Sequence, residues 1–137
     1  DIQSSRGSFE RWVQKYQEEE KENRAAWFRE LVLFLMDPEI LKDLSWREAV
    51  KDKTLFGLRL QFWQEILRDL LWIKLNHVEN LIHPEFKVEM RQIQEIPESK
   101  IHVAFEKLLS FEKDLIFHRD PLLMTEEFIV EMKAEKR

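Results

Sequence analysis

Apolar residues recur along this chain at helical spacing, in blocks that prolines separate. Phe9, Trp12, Val13 and Tyr16 fall at i, i+3, i+4 and i+7, and Phe28, Leu31, Val32 and Leu35 repeat that face, so residues 7–36 predict a long helix. Between the two halves lies Glu18-Glu19-Glu20-Lys21-Glu22-Asn23-Arg24. This polar stretch predicts a solvated waist or a break into two helices. Asp37-Pro38 ends the pattern, because a residue before proline is pushed out of the α region. Residues 45–51 open with "SWRE", the capping-box pattern of Ser45 and Glu48, and predict a short helix.

Residues 54–75 carry the most apolar pattern of the chain. Phe56, Leu60, Trp63, Leu67, Leu70 and Lys74 share one stripe, and Phe62, Ile66 and Ile73 widen it, so this helix is expected to be buried on several sides. Pro84 predicts the start of a fourth helix over 84–95. A fifth is expected over 98–118, with Ile101, Phe105, Leu108, Leu109, Glu112, Leu115 and Ile116 as its stripe. Pro121 suits the first turn of a last helix over 121–135, carrying Leu122, Leu123, Phe128, Ile129 and Met132. The fold class implied is all-α: a single compact helical domain of about five to six helices over residues 1–137, the central helix threaded through its middle.

Composition narrows this further. Two glycines and four prolines supply too little turn material for a strand-rich fold. Lys and Arg number 22 against 27 Asp and Glu, a formal charge of -5, with the signs mixed along the chain. That balance argues against nucleic-acid binding by this segment alone, since such binding rests on phosphate neutralisation. The chain has no cysteine, which excludes disulfides, thiolate metal sites and cysteine nucleophiles. No apolar run of about 18 residues and no signal-peptide pattern is present, so a cytoplasmic protein is expected. The first residue is Asp1 and not Met, which reads as a piece of a longer chain.

Candidate chemistry is sparse. Two isolated glycines cannot form a phosphate-binding Gly-rich loop, so nucleotide hydrolysis by this chain alone is not expected. His77, His83, His102 and His118 are scattered, without the helical pairing that marks a zinc site. His77 and His83 follow the central helix, where solvated loop histidines are the simpler reading than metal ligands. Glu18, Glu19 and Glu20 read as a solvated face, and Ser4, Ser5 and Ser8 have no neighbouring histidine to activate them. The expectation is no enzyme, no cofactor and no metal. Trp63 and Trp72 sit in an almost wholly apolar helix, which favours core packing or an interface over a ligand platform. Arg68 and Asp69 interrupt that helix. Buried charges need partners, and an inter-helix ion pair is the expectation for them.

The segment "WQEILRDLLWIKLNHVENLIHPEF", residues 63–86, resembles the signature of the C-terminal domain of the bacterial DNA polymerase III delta-prime subunit and its gamma/tau relatives. There a helix reading W-x-x-x-L-R-D-L-L-x-x-K is followed by L-[LI]-N-P-[DE]; here His83 replaces the Asn. "RGSFERW", residues 6–12, is similar to the G-S-x-G-R segment that leads into that domain, with Glu10 departing from it, and makes residues 1–8 a residual linker from a nucleotide-binding module. "FHRDPLLMTEEFIVEM", residues 117–132, is similar to N-x-N-P-x-L-x-x-E-x-L-L-x-x-L, with Asp120 for the second Asn. The three matches keep their order over nearly the whole chain.

The resemblance implies a clamp-loader collar: a non-catalytic oligomerisation domain that joins gamma/tau and delta subunits into a hetero-pentamer. Such a domain meets the sliding clamp and primed DNA only through the full complex, whose ATP is bound in other modules. Delta-prime is favoured because Arg11 falls four residues after Gly7, which makes Arg11 a sensor-type arginine by resemblance. Trp72 and Phe128 are the candidate partner-interface residues. Two alternatives stand beside this reading. One is an unrelated helical adaptor; the other is a small-molecule sensor, for which a closed apolar cavity lined by groups such as Trp27, Trp63 and Phe105 is expected.

Overall fold

The computed structural model describes residues 2–37, 47, 53–117 and 119–134. Among them five α-helices and no strand occur: α1 (Ile2–Met36), α2 (Lys53–Lys74), α3 (Lys87–Gln92), α4 (Glu98–Ile116) and α5 (Pro121–Ala134). Two single 3-10 turns, Val78–Asn80 and Pro84–Phe86, join α2 to α3. The all-α expectation holds, while the short helix expected over 45–51 lies outside the described residues apart from Arg47.

Four helices form the core as a closed cycle, in which α2 packs on α1 and α4 and α5 packs on α4 and α1. The α2 stripe decides this. Phe56, Leu60, Phe62, Trp63, Ile66, Leu67, Leu70 and Ile73 are all buried, so the helix is covered over most of its circumference. Burying one such side chain is worth about 1.5–3 kcal/mol, which makes α2 the main source of hydrophobic stabilisation. From α1 come Phe28, Leu31 and Leu35 of its repeated face, joined by Trp27 and Phe34, while Val32 of that face is half-buried.

Three helix ends have an identifiable cause. Asn76 at the end of α2 takes φ 63°, and the His77 and Asn76 amides donate back to the Trp72 and Ile73 carbonyls at 2.9 Å each, a Schellman closure. Asp120 starts α5: its carboxylate accepts from the Leu122 amide at 3.1 Å, while Pro121 takes the first position, where no N–H is needed. At the end of α1, which has no basic residue in its last turn, Lys100 of α4 donates Nζ to the Leu35 carbonyl. A cation there meets the negative end of the helix dipole.

Several expectations are corrected. Helix α1 runs unbroken through residues 18–24, which are exposed apart from the half-buried Arg24, so the polar stretch is a solvated waist and not a break. The helix begins at Ile2, earlier than the expected start at residue 7. Trp12 is 62% exposed, because the first half of α1 lies beyond the helices that cover the second half. The helix expected over 84–95 is a 3-10 turn followed by the six-residue α3, since the Ile93 amide turns back onto Met90 and ends it. On α4 the buried face is Lys100, Ile101, Ala104, Leu108 and Phe111, while Leu109, Glu112 and Ile116 of the expected stripe are exposed. The face is rotated because α2 and α5 cover one side only.

Candidate functional site

Three polar groups involve α2, and a further network of Lys107, Glu127, Arg119 and Asp114 joins α4 to α5. The first of the three is the contact of α2 with α1. Trp63 donates its indole N–H to the Trp27 carbonyl at 2.8 Å, and the Arg59 guanidinium lies over both indole rings, 5.5 Å from Trp27 and 5.7 Å from Trp63. Arg59 Nη1 also stands 3.2 Å from Glu30 Oε2. Burial pushes the Glu30 carboxyl up and the Arg59 guanidinium down, and their mutual attraction opposes both shifts without overcoming either. The desolvation cost of such a pair can exceed its Coulombic gain, so the pair orients α1 on α2 more than it stabilises them.

The second group corrects the ion pair expected of Arg68 and Asp69. Asp69 is fully buried, and its two carboxylate oxygens accept from the backbone amides of Ile82 at 2.9 Å and His83 at 2.8 Å. Arg68 points to solvent. The carboxylate therefore holds the irregular segment after α2 against the helix, while α2 makes an ion pair to α1 through Arg59 and Glu30. Sequence reasoning missed Arg59, although its place between Phe56 and Trp63 on the apolar stripe marks a cation that must enter the core.

His83 is also not a solvated loop histidine. It is buried with its ring edge-on to Phe62 at 4.9 Å and to Phe86 at 6.4 Å, and Phe86 stacks on Phe28 of α1 at 4.7 Å. Its Nε2 lies 3.1 Å from Glu65 and its Nδ1 3.3 Å from Glu85.

The third feature is a cleft of about 470 Å³ between the waist of α1 and the first half of α2. Trp27 and Phe62 form its floor, and Glu65 and His83 close one end. None of its lining side chains carries a hydroxyl or thiol. Of the cavity residues expected for a sensor, only Trp27 lines it. Trp63 is packed in the core, and Phe105 is half-buried on α4.

The remaining candidates lie apart from one another. Phe128 is fully buried where the four helices meet, stacked on Trp63 at 6.3 Å and edge-on to Phe34 and Phe111, so it cannot present itself to a partner. Trp72 is half-buried, its ring edge against His77 at 5.8 Å. Arg11 is exposed on the outlying half of α1, away from the cleft. His77 and His102 pair with nearby Glu79 and Glu98 on the surface, and no cluster that could hold a metal ion occurs among the described residues. His118 lies outside the described residues. Comparison of the chain with protein-family models, curated proteins and solved structures finds no match in any of the three.

Proposed function

We propose that this chain is the collar domain of a bacterial DNA polymerase III clamp-loader subunit of the delta-prime type. In this reading it is a non-catalytic helical module of the cytoplasm, and its work is to hold gamma/tau and delta subunits together while the complex loads the sliding clamp. The observation that carries the reading is the tie between the two halves of the signature at 63–86. Asp69 of "LRDLL" accepts the amides of Ile82 and His83 in "LIHP", which gives the two pieces a physical reason to occur at that spacing.

Two departures from the family pattern are compatible with this reading. At position 83 the structure uses the backbone N–H, so His in place of Asn keeps the contact. At position 120 a short side-chain oxygen caps α5, a role in which Asp and Asn are equivalent. The surface left over carries large apolar side chains, among them Phe117 at 82% and Ile116 at 74% exposure, next to one another at the end of α4.

Light scattering after size-exclusion chromatography tests the proposal, with the chain alone and mixed with a gamma/tau-type ATPase subunit. A mixed species that disappears with Phe117→Glu or Trp72→Glu is the expected result. A chain that ignores that subunit at tens of micromolar overturns the collar reading in favour of an unrelated adaptor.

A further inference from the structure

Helix α1 is longer than the bundle that covers it. Its 35 residues extend for about 50 Å, against about 33 Å for the 22 residues of α2. Among the described side chains of residues 10–23 none is buried, and Trp12 is 62% exposed. Burial on α1 starts at Trp27. Yet the sequence repeats on this outlying arm the spacing that the rest of the helix buries, with Phe9, Trp12, Val13 and Tyr16 placed as Phe28, Leu31, Val32 and Leu35 are. Helices in proteins draw most of their stability from packing such a face, and the bundle packs only the second copy of it.

We propose that the arm is a docking surface for a second copy of this chain, the two arms crossing antiparallel about Trp12 and Val13. Charge selects both the partner and the direction. Arg6, Arg11 and Lys15 lie before and within the stripe, where Glu10 is the one carboxylate of residues 6–15. Glu18, Glu19, Glu20 and Glu22 follow it, where Lys21 is the one cation of residues 16–22. A two-fold axis near Trp12 sets the basic segment of each arm against the acidic segment of the other, so the arm carries its own complement. A parallel pair sets four carboxylates against four and aligns the helix dipoles unfavourably. The antiparallel contact is isologous and closes at two copies. It is one helix wide, smaller than the standard interface of about 1,600 Å², so the dimer is a weak one that added salt loosens.

This inference does not rest on the collar reading, whose test uses Phe117 and Trp72. Sedimentation equilibrium of the whole chain over a concentration series tests it, and a dimer with a Kd of about 1–100 µM is expected. Trp12→Glu raises that Kd by about tenfold or more, as does the pair Arg11→Glu and Lys15→Glu, whereas Phe117→Glu leaves it unchanged. The chain has no cysteine, so single introduced thiols report the direction. Val13→Cys, near the axis, is joined between copies by a short bis-maleimide. Glu20→Cys, two turns further along the same side of the helix, is not, because an antiparallel pair holds its two copies far apart. A chain that stays monomeric through the series, a dimer indifferent to Trp12→Glu, or Glu20→Cys joined as readily as Val13→Cys overturns the proposal. So does a monomeric chain whose Trp12→Glu variant loses the mixed clamp-loader species, which assigns the arm to another subunit.

Discussion

Replacement of Asp69 by Ala removes the acceptor for two backbone amides at once. Hydrogen bonds to a charged group are worth about 1.5–3 kcal/mol each, and a buried donor left without a partner costs about 1–3 kcal/mol. The His83 amide is buried and loses its bond outright, whereas Ile82 is partly exposed, so water can reach its amide. Counting the first at full weight and the second at about 1 kcal/mol gives a loss of about 2.5–4 kcal/mol. A domain of this size has only about 5–15 kcal/mol in total, and its melting temperature should fall by roughly 10 °C.

Urea denaturation followed by tryptophan fluorescence measures the loss, and hydrogen exchange at the Ile82 and His83 amides locates it. Asp69→Asn keeps one acceptor and sets an amide donor against the other N–H, so it falls between wild type and Asp69→Ala. Arg68→Ala, at an exposed position, stays within about 0.5 kcal/mol of wild type. An Asp69→Ala chain within that same margin, with both amides exchanging as slowly as before, would refute the reasoning. So would a loss in Arg68→Ala as large as that in Asp69→Ala, since that outcome belongs to an ion pair.

Three further outcomes follow from packing and charge. Phe128→Ala opens a cavity where four helices meet and costs about 3–5 kcal/mol by denaturant titration, whereas Phe117→Ala at the exposed end of α4 changes stability by less than about 0.5 kcal/mol. Gly57→Ala stabilises by about 0.5–1 kcal/mol in the same assay, because the added Cβ meets only Leu115 Cδ2 at an ordinary 3.6 Å and a helix interior loses a flexible residue. The third concerns acid. Hydrogen bonds from Lys107 and then Arg119 hold the Glu127 carboxyl below its usual range, so its contribution is complete above the unfolded value of about 4.3 and is lost as pH falls through the lower folded value. The urea midpoints of wild type and Glu127→Gln therefore converge below about pH 4, and a gap unchanged down to pH 2 would contradict this.

Helix class and most helix boundaries were legible in the sequence because they depend on local rules. The 3.6-residue spacing from Phe56 to Leu70, Pro121 after Asp120, and the scarcity of glycine each act within a few residues, so α2 and α5 fall where the pattern places them. Which apolar face is covered is a different kind of question. Trp12 and Leu109 follow helical spacing as Trp27 and Leu108 do, yet the first two are exposed and the last two buried, and periodicity has no term for the neighbour. The partner of each buried charge is likewise set by three-dimensional approach. Asp69 reaches amides 13 and 14 residues ahead, Lys100 a carbonyl 65 residues back, and Arg59 a carboxylate on α1. The cleft between the waist of α1 and α2 is of the same origin. Local spacing determined that the chain would be helical and where its helices would run; the relative placement of those helices decided which residues became core, tether or binding surface, because burial and pairing are properties of distance in space and not along the chain.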